Sequence, residues 1–287
     1  MDILTSTGMD FSILQYHFMQ NAILAGLFAG ITCSVVGVFV VTMHLSFIGV
    51  CIAHAAFAGA LLGLWLGFNP LIGALLFSLA SAAIIGPVAD RGELNPDTSI
   101  GIVFSLMLGL AFLFMGLMPG AKTEALNLFW GSILTVNQQD IIFLAVITGV
   151  IGGLVAIFYK EIQAVICHRQ VALAVGIPAT IVFYGLLFST SVTITASLQS
   201  IGGLLIYSLI LNPAAAAYQL TYSLKRMLLI AVAFGVVSCW AGLAASYLLD
   251  IPSGAAIVIT SAIIFGLATA LSPKRKVKGW KQAPLAG

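Results

Sequence analysis

The stretch FSILQYHFMQNAILAGLFAGITCSVVGVFVVTMHLSFIGVCIAHAAFAGALLGLWLGFNPLIGALLFSLASAAIIGPVA, from Phe11 to Ala89, contains no Asp, Glu, Lys or Arg. It nevertheless holds three of the chain's four histidines, His17, His44 and His54. A water-soluble fold needs charge on its surface, so an uncharged run of this length has no aqueous face. A bilayer core roughly 30 Å thick takes about 20 apolar residues per helix, which makes this run several crossings in succession. The imidazoles it retains are candidate ligands for something polar.

The rest of the chain extends the pattern. Hydrophobic residues make up 61% of the 287 residues and charged ones 7%, with a mean hydropathy of +1.15. The apolar runs are too long for the alternating strands of a membrane barrel, so backbone polar groups must be satisfied within helices. The fold class is therefore an all-α polytopic membrane protein, a bundle of eight or nine transmembrane helices over residues 17–272. Residues 1–16 precede it, with two aspartates and no basic residue, so a signal peptide is not expected. Residues 273–287 follow as a basic tail carrying Lys274, Arg275, Lys276, Lys278 and Lys281.

Nine apolar runs can be drawn, at 17–43, 52–68, 70–89, 98–118, 140–159, 179–197, 201–220, 227–249 and 253–271. Asn69-Pro70, Asn95-Pro96, Pro119-Gly120, Gly176-Ile177-Pro178 and Pro252-Ser253-Gly254 punctuate them. The basic residues set the orientation. With the tail inside against anionic headgroups, nine crossings also place Lys225-Arg226, Lys160 to Arg169 and Arg91 inside, and the N-terminus outside. Two connections exceed a hairpin's need. Residues 119–139 are amphipathic and are expected to lie in the outer interface or to dip back into the bundle. Residues 159–178 mix charge with Ile162, Val165, Ile166, Val171, Leu173 and Val175, as a cytoplasmic helix parallel to the membrane would. Glycines four apart, Gly26 with Gly30 and Gly59 with Gly63, predict close helix crossings. Asn212-Pro213 is expected to interrupt the seventh run and free backbone groups to line a path.

The chemistry candidates are few. His54 lies just inside the second run, His44 in the loop before it, His17 at a helix end and His168 in the cytoplasmic segment. Neutral imidazole suits borderline transition metals. Cys33, Cys51, Cys167 and Cys239 form no CxxC pair and read as small hydrophobes. No phosphate-binding glycine loop, HExxH or nucleophile elbow occurs, which excludes the common enzyme classes. The first three runs hold no carboxylate, which disfavours coupling to a proton or sodium gradient.

The order of GVFVVTMHLSFIGVCIAHAAFAGALLG, NPDTSIGIVFSLMLGLAFLFMG, LNLFWGSILTV, QVALAVGIP and SLQSIGGLLIYSLILNPAAAA resembles the membrane permeases of ABC importers for manganese, zinc and iron. The resemblance covers about residues 18–271 and implies a type II ABC importer-like bundle with a cytoplasmic coupling helix within 160–178. It implies a non-enzymatic, homodimeric subunit of a prokaryotic cytoplasmic membrane. A cytosolic ATP-binding-cassette ATPase would drive it, and an extracytoplasmic metal-binding protein would load it. Membrane lipids, and no nucleic acid, complete the expected partners. No cofactor is implied; the divalent metal is cargo. Members commonly read Gly-Asp-x-x-Ser-His where this chain reads Gly49-Val50-Cys51-Ile52-Ala53-His54, so His54 inherits the role of pathway ligand while Val50 cannot ligate. Loss of that oxygen donor, with Cys51 or His44 as helpers, tilts the expectation towards zinc. The resemblance also marks Ser197, Gln199, Gly202, Gly203, Asn212 and Pro213 as pore-lining, and Val171, Ala172, Leu173, Ala174, Val175 and Gly176 as the ATPase contact. The alternatives are an ABC permease for cobalamin or iron chelates, an ion-coupled secondary metal transporter, and a purely structural membrane subunit.

Overall fold

A computed structural model describes residues 16–90, 96–118 and 133–274. Residues 1–15, the Arg91 loop, most of the 119–139 segment and the tail beyond Lys274 lie outside it. Ten α-helices are described: α1 His17–Thr42, α2 Ile48–Leu66, α3 Pro70–Asp90, α4 Pro96–Leu117, α5 Gln138–Ile157, α6 Tyr159–Ala174, α7 Ala179–Ile201, α8 Gly203–Leu220, α9 Leu224–Leu249 and α10 Ser253–Ala270. Eight are long and apolar enough to cross a membrane; α6 is not, and the apolar part of α8, Leu205–Leu220, is shorter.

Helix α1 forms the axis of the bundle and packs against α5, α7, α8 and α9, while α2 packs on α3, α4, α7 and α8. These two are the most buried spans; α4, α5 and α10 lie at the periphery. The peripheral helices expose Ile102, Phe112, Ile142, Val150 and Ile259, the outward apolar surface that a bilayer covers. Glycine sets the closest crossings. A Cβ on Gly59 would lie 2.1 Å from the Gly73 carbonyl oxygen, joining α2 to α3, and one on Gly235 would lie 2.1 Å from Ser34 Oγ, joining α9 to α1. Gly26 and Gly30 face Cys239 and Gly235, so the spacing of four seen in the sequence is a packing device.

Side-chain hydrogen bonds, several of them from hydroxyls, add to these crossings. Thr32 meets Thr148 at 2.6 Å between α1 and α5, and Ser78 meets Thr195 at 2.8 Å between α3 and α7. At the end of α10, Ser272 Oγ donates to the Gln219 carbonyl at 2.8 Å. Lys274 Nζ donates to the Tyr218 carbonyl and lies over the Tyr218 and Tyr222 rings, at 4.0 and 4.3 Å. Partial burial there draws its pKa below the usual lysine value. Asp140 caps α5 by accepting from the Asn137 N–H at 3.0 Å, a local use for that carboxylate.

Three features differ from the sequence reading. Helix α2 begins at Ile48, so Val50 and Cys51 are helical and the turn from α1 is short, closed by His44 at φ +58. Helix α8 continues through Pro213, correcting the expected interruption there. Its small neighbours Ala214 and Ala217 pack against Val38, and Asn212 Nδ2 donates to Ser208 Oγ and Ser261 Oγ at 3.0 and 2.9 Å, so tertiary contacts hold the helix where the proline N–H is missing. The break instead falls at Gly202, whose φ of +86 with ψ 154 is a conformation open essentially to glycine alone. The third concerns α6, which contains an extended residue, His168, and is two short helical pieces rather than one rod.

Candidate functional site around His54

The corner at Gly202 positions the site. Ser197, near the end of α7, lies with its Oγ 3.9 Å from the Cys33 sulfur, midway along α1. Leu198 and Gly203, on either side of the corner, share a cavity with His54 of α2. The corner therefore lies beside the middle of α1 and the first half of α2, within the depth of the bundle. The cavity, about 230 Å³, is lined by Val50, Ala53, His54 and Phe57 from α2, Leu198 from α7, and Gly203 and Tyr207 from α8. Its wall is almost wholly apolar.

His54 Nδ1 lies 2.9 Å from the Val50 carbonyl oxygen. A carbonyl only accepts, so Nδ1 carries the hydrogen and donates it, and in the neutral ring the lone pair is on Nε2. Phe104 of α4 meets the ring edge to face, with centroids 4.9 Å apart and planes at 81°. The backbone thus sets the tautomer and an aromatic neighbour sets the tilt, which leaves a half-buried imidazole suited to transient ligation.

The other candidates separate. His44 is exposed in its turn, Cys51 is fully buried in the core, and neither lines the cavity. Among the described residues no three His, Cys, Asp or Glu side chains come together to hold a metal. The reason is helical geometry: Cys51 precedes His54 by three positions but is drawn into the core beside Ile48 and Ile52, while ten residues and a left-handed turn separate His44 from His54. Of the six expected pore residues, Gly203 lines the cavity. Ser197, Gly202 and Pro213 are buried in the bundle, Asn212 joins α8 to α10, and the Gln199 side chain lies outside the described structure. Tyr207, Phe104, Phe57 and Leu198 were not singled out in the sequence. Tyr207 follows Gly203 by one helical turn, the signal that could have found it once the break was placed at Gly202.

The coupling segment divides by face. Val171, Leu173 and Val175 are 59%, 48% and 69% exposed, and Ala174 and Gly176 are exposed with them, but Ala172 is buried with Val165 and Ala179. Ala172 therefore anchors the segment rather than facing outward. Arg169 stacks its guanidinium over Phe183 of α7 at 4.9 Å, so the outward strip is fastened to the helix that leads to the Gly202 corner.

Comparison with known proteins gives the relatives of this arrangement. Residues 15–272 match the family described as the ABC 3 transport family. The manganese transport system membrane protein MntC of Listeria monocytogenes is 33% identical over 263 residues, covering 92% of this chain and 94% of that protein. The chelated iron transport system membrane protein YfeD of Yersinia pestis is 29% identical, covering 94% and 91%. Among solved structures, PsaBC from Streptococcus pneumoniae in complex with Fab superposes with a TM-score of 0.83 at 30% identity, covering 94% of this chain and 98% of that one. An inward-facing metal-chelate type ABC transporter shares the fold, with a TM-score of 0.73 at 15% identity over 93% and 91% of the chains.

Proposed function

This chain belongs to the ABC 3 transport family, and from that premise we propose that it is the permease subunit of an importer for divalent manganese, with iron as the second candidate. The reading rests on His54 in its cavity beside the Gly202 corner, the one matched ligand position of the resemblance that the fold brings to a break between two helices. The zinc preference suggested by Val50 gains no support from the two relatives reported above, which are named for manganese and iron.

In this mechanism an extracytoplasmic binding protein delivers the ion between two copies of the chain, and His54 Nε2 holds it transiently. A cytosolic ATPase contacts the exposed strip of Val171, Leu173 and Val175. Its nucleotide states favour different positions of α6, and α7 carries that difference to the corner, because a partner that bound both states equally would shift nothing. A cavity of about 230 Å³ has room for an ion with several waters, at about 30 Å³ each. Of the described carboxylates, Asp97 and Asp140 lie at helix starts, Asp250 at a helix end and Glu161 in the first turn of α6, outside the membrane-spanning helices, which weighs against ion coupling.

The test is manganese uptake by the complete transporter, comparing the parent with His54→Ala. Uptake by the variant should fall about tenfold or more, with unchanged membrane abundance. Equal uptake would remove His54 from the pathway.

A further inference from the structure

A second cavity, of about 200 Å³, lies between α1, α5, α6 and α7 and shares no lining residue with the one at His54. Its floor is buried, formed by Val36 and Phe39 of α1 with Leu186 of α7. Its rims are exposed, Leu154 and Phe158 on one side and Ile181 on the other, so it is a groove open to the bilayer rather than a sealed void. Among the described lining residues Ser189 alone has a polar side chain, and its Oγ donates to the Gly185 carbonyl at 2.8 Å, which leaves the surface to hydrocarbon. Gly185 keeps the groove wide. A Cβ there would meet no described atom within 4 Å, unlike those at Gly59 and Gly235, so this glycine serves no helix crossing.

Position and length identify the occupant. The groove follows α7 from Ile181 to Ser189, roughly 12 Å at about 1.5 Å per residue. It starts at the ends of α5 and α7 that flank α6, the side that the basic residues place inside. One leaflet offers roughly 15 Å of hydrocarbon, so the groove spans most of the inner leaflet along the direction in which an acyl chain lies. Left empty it would forfeit dispersion contacts along its floor, and a lipid tail restores them without a desolvation cost. At the mouth, Lys160 follows Phe158 by two residues and is exposed, whereas Glu161 is half-buried with Oε2 out of contact with solvent. The charge presented to the inner headgroup layer there is an ammonium. We propose that this groove binds one acyl chain of an anionic phospholipid of the inner leaflet, with the headgroup at Lys160. Ile162 of α6 lines the groove, so the lipid packs directly on the segment that leads to Val171 and Val175. The site depends neither on the metal nor on His54.

The test reconstitutes the whole transporter in vesicles of phosphatidylcholine and phosphatidylglycerol, adds a trace of either lipid carrying a diazirine on its acyl chain, and maps photolabelling by mass spectrometry. The phosphatidylglycerol probe should label Leu154, Ile181 and Gly185 about fivefold more than the phosphatidylcholine probe does. Lys160→Gln, at an exposed position, should keep the fold and abolish that difference. Gly185→Leu fills the groove and should cut its labelling about tenfold, while Ile102 of α4 and Ile259 of α10, on the open lipid face, label as in the parent. Equal labelling of the groove and the open faces in the parent, or groove labelling that Gly185→Leu leaves unchanged, would overturn the site. A preference for phosphatidylglycerol that is absent from the parent, or that survives Lys160→Gln, would overturn the headgroup assignment. Cross-linking of Ile181→Cys to a second copy would give the groove to a protein interface instead.

Discussion

At the scale of single residues, His54 shows how a lone imidazole becomes useful in an apolar helix. The Val50 carbonyl four residues earlier takes the Nδ1 hydrogen, and Phe104 restrains the ring. The side chain of Val50 lines the same cavity, half-buried and without a donor. Val50→Asp would add a carboxylate beside the imidazole, and a hard oxygen donor favours manganese. The manganese-to-zinc uptake ratio should rise about fivefold in this variant. A ratio that stays at the parental value would show that the ion does not pass within reach of position 50. His54 was legible in the sequence through the match of Gly49 to His54 to the family pattern, which set it apart from His17 and His44 in the same uncharged run. Its partners were not, since Phe104 lies on α4 and Tyr207 on α8, and only packing brings them to α2.

At the scale of elements, the crossings depend on missing side chains. Gly235 has no room for a Cβ against Ser34, whereas one added at Gly152 on α5 meets nothing within 4 Å. Gly235→Val should therefore destabilise by about 1–3 kcal/mol, seen as a lowered melting temperature in detergent, while Gly152→Ala should melt like the parent. Equal melting of the two would mean that α1 and α9 separate without penalty. The coupling segment offers a second prediction. Val171→Asp combined with Val175→Asp places charge on the outward strip, where both side chains are exposed, so folding should be retained while transport-linked ATPase stimulation drops about tenfold. Retained stimulation would place the ATPase contact elsewhere. The amphipathic mixture of residues 159–178 announced a surface helix, but the extended His168 and the inward Ala172 were invisible, because both depend on how α6 meets α7.

At the scale of the whole molecule, burial separates the four cysteines. Cys33, Cys51 and Cys239 are buried, and Cys167 alone is exposed, in the segment that the basic residues place inside. A membrane-impermeant maleimide should label the parent in inside-out vesicles, leave right-side-out vesicles unlabelled, and lose the signal with Cys167→Ser. Labelling from the outer side would reverse the orientation inferred from Lys160, Lys225 and the basic tail.

The resemblance carried by Gly49 to His54 is what singled out His54 in the sequence, whereas composition and charge placement alone determined that this is a helical membrane bundle and where most helices run. These follow from the cost of placing charge and unpaired backbone in a bilayer, a cost that acts on each segment separately. Only the tertiary structure decided that the chain breaks at Gly202 rather than at Asn212-Pro213. It also decided that His44 and Cys51 stay away from His54 while Tyr207 joins it. A proline-bearing helix survives when neighbouring helices hold it, and a cavity forms where three helices leave space between them. Both are properties of contacts between segments distant in sequence, which no local pattern records.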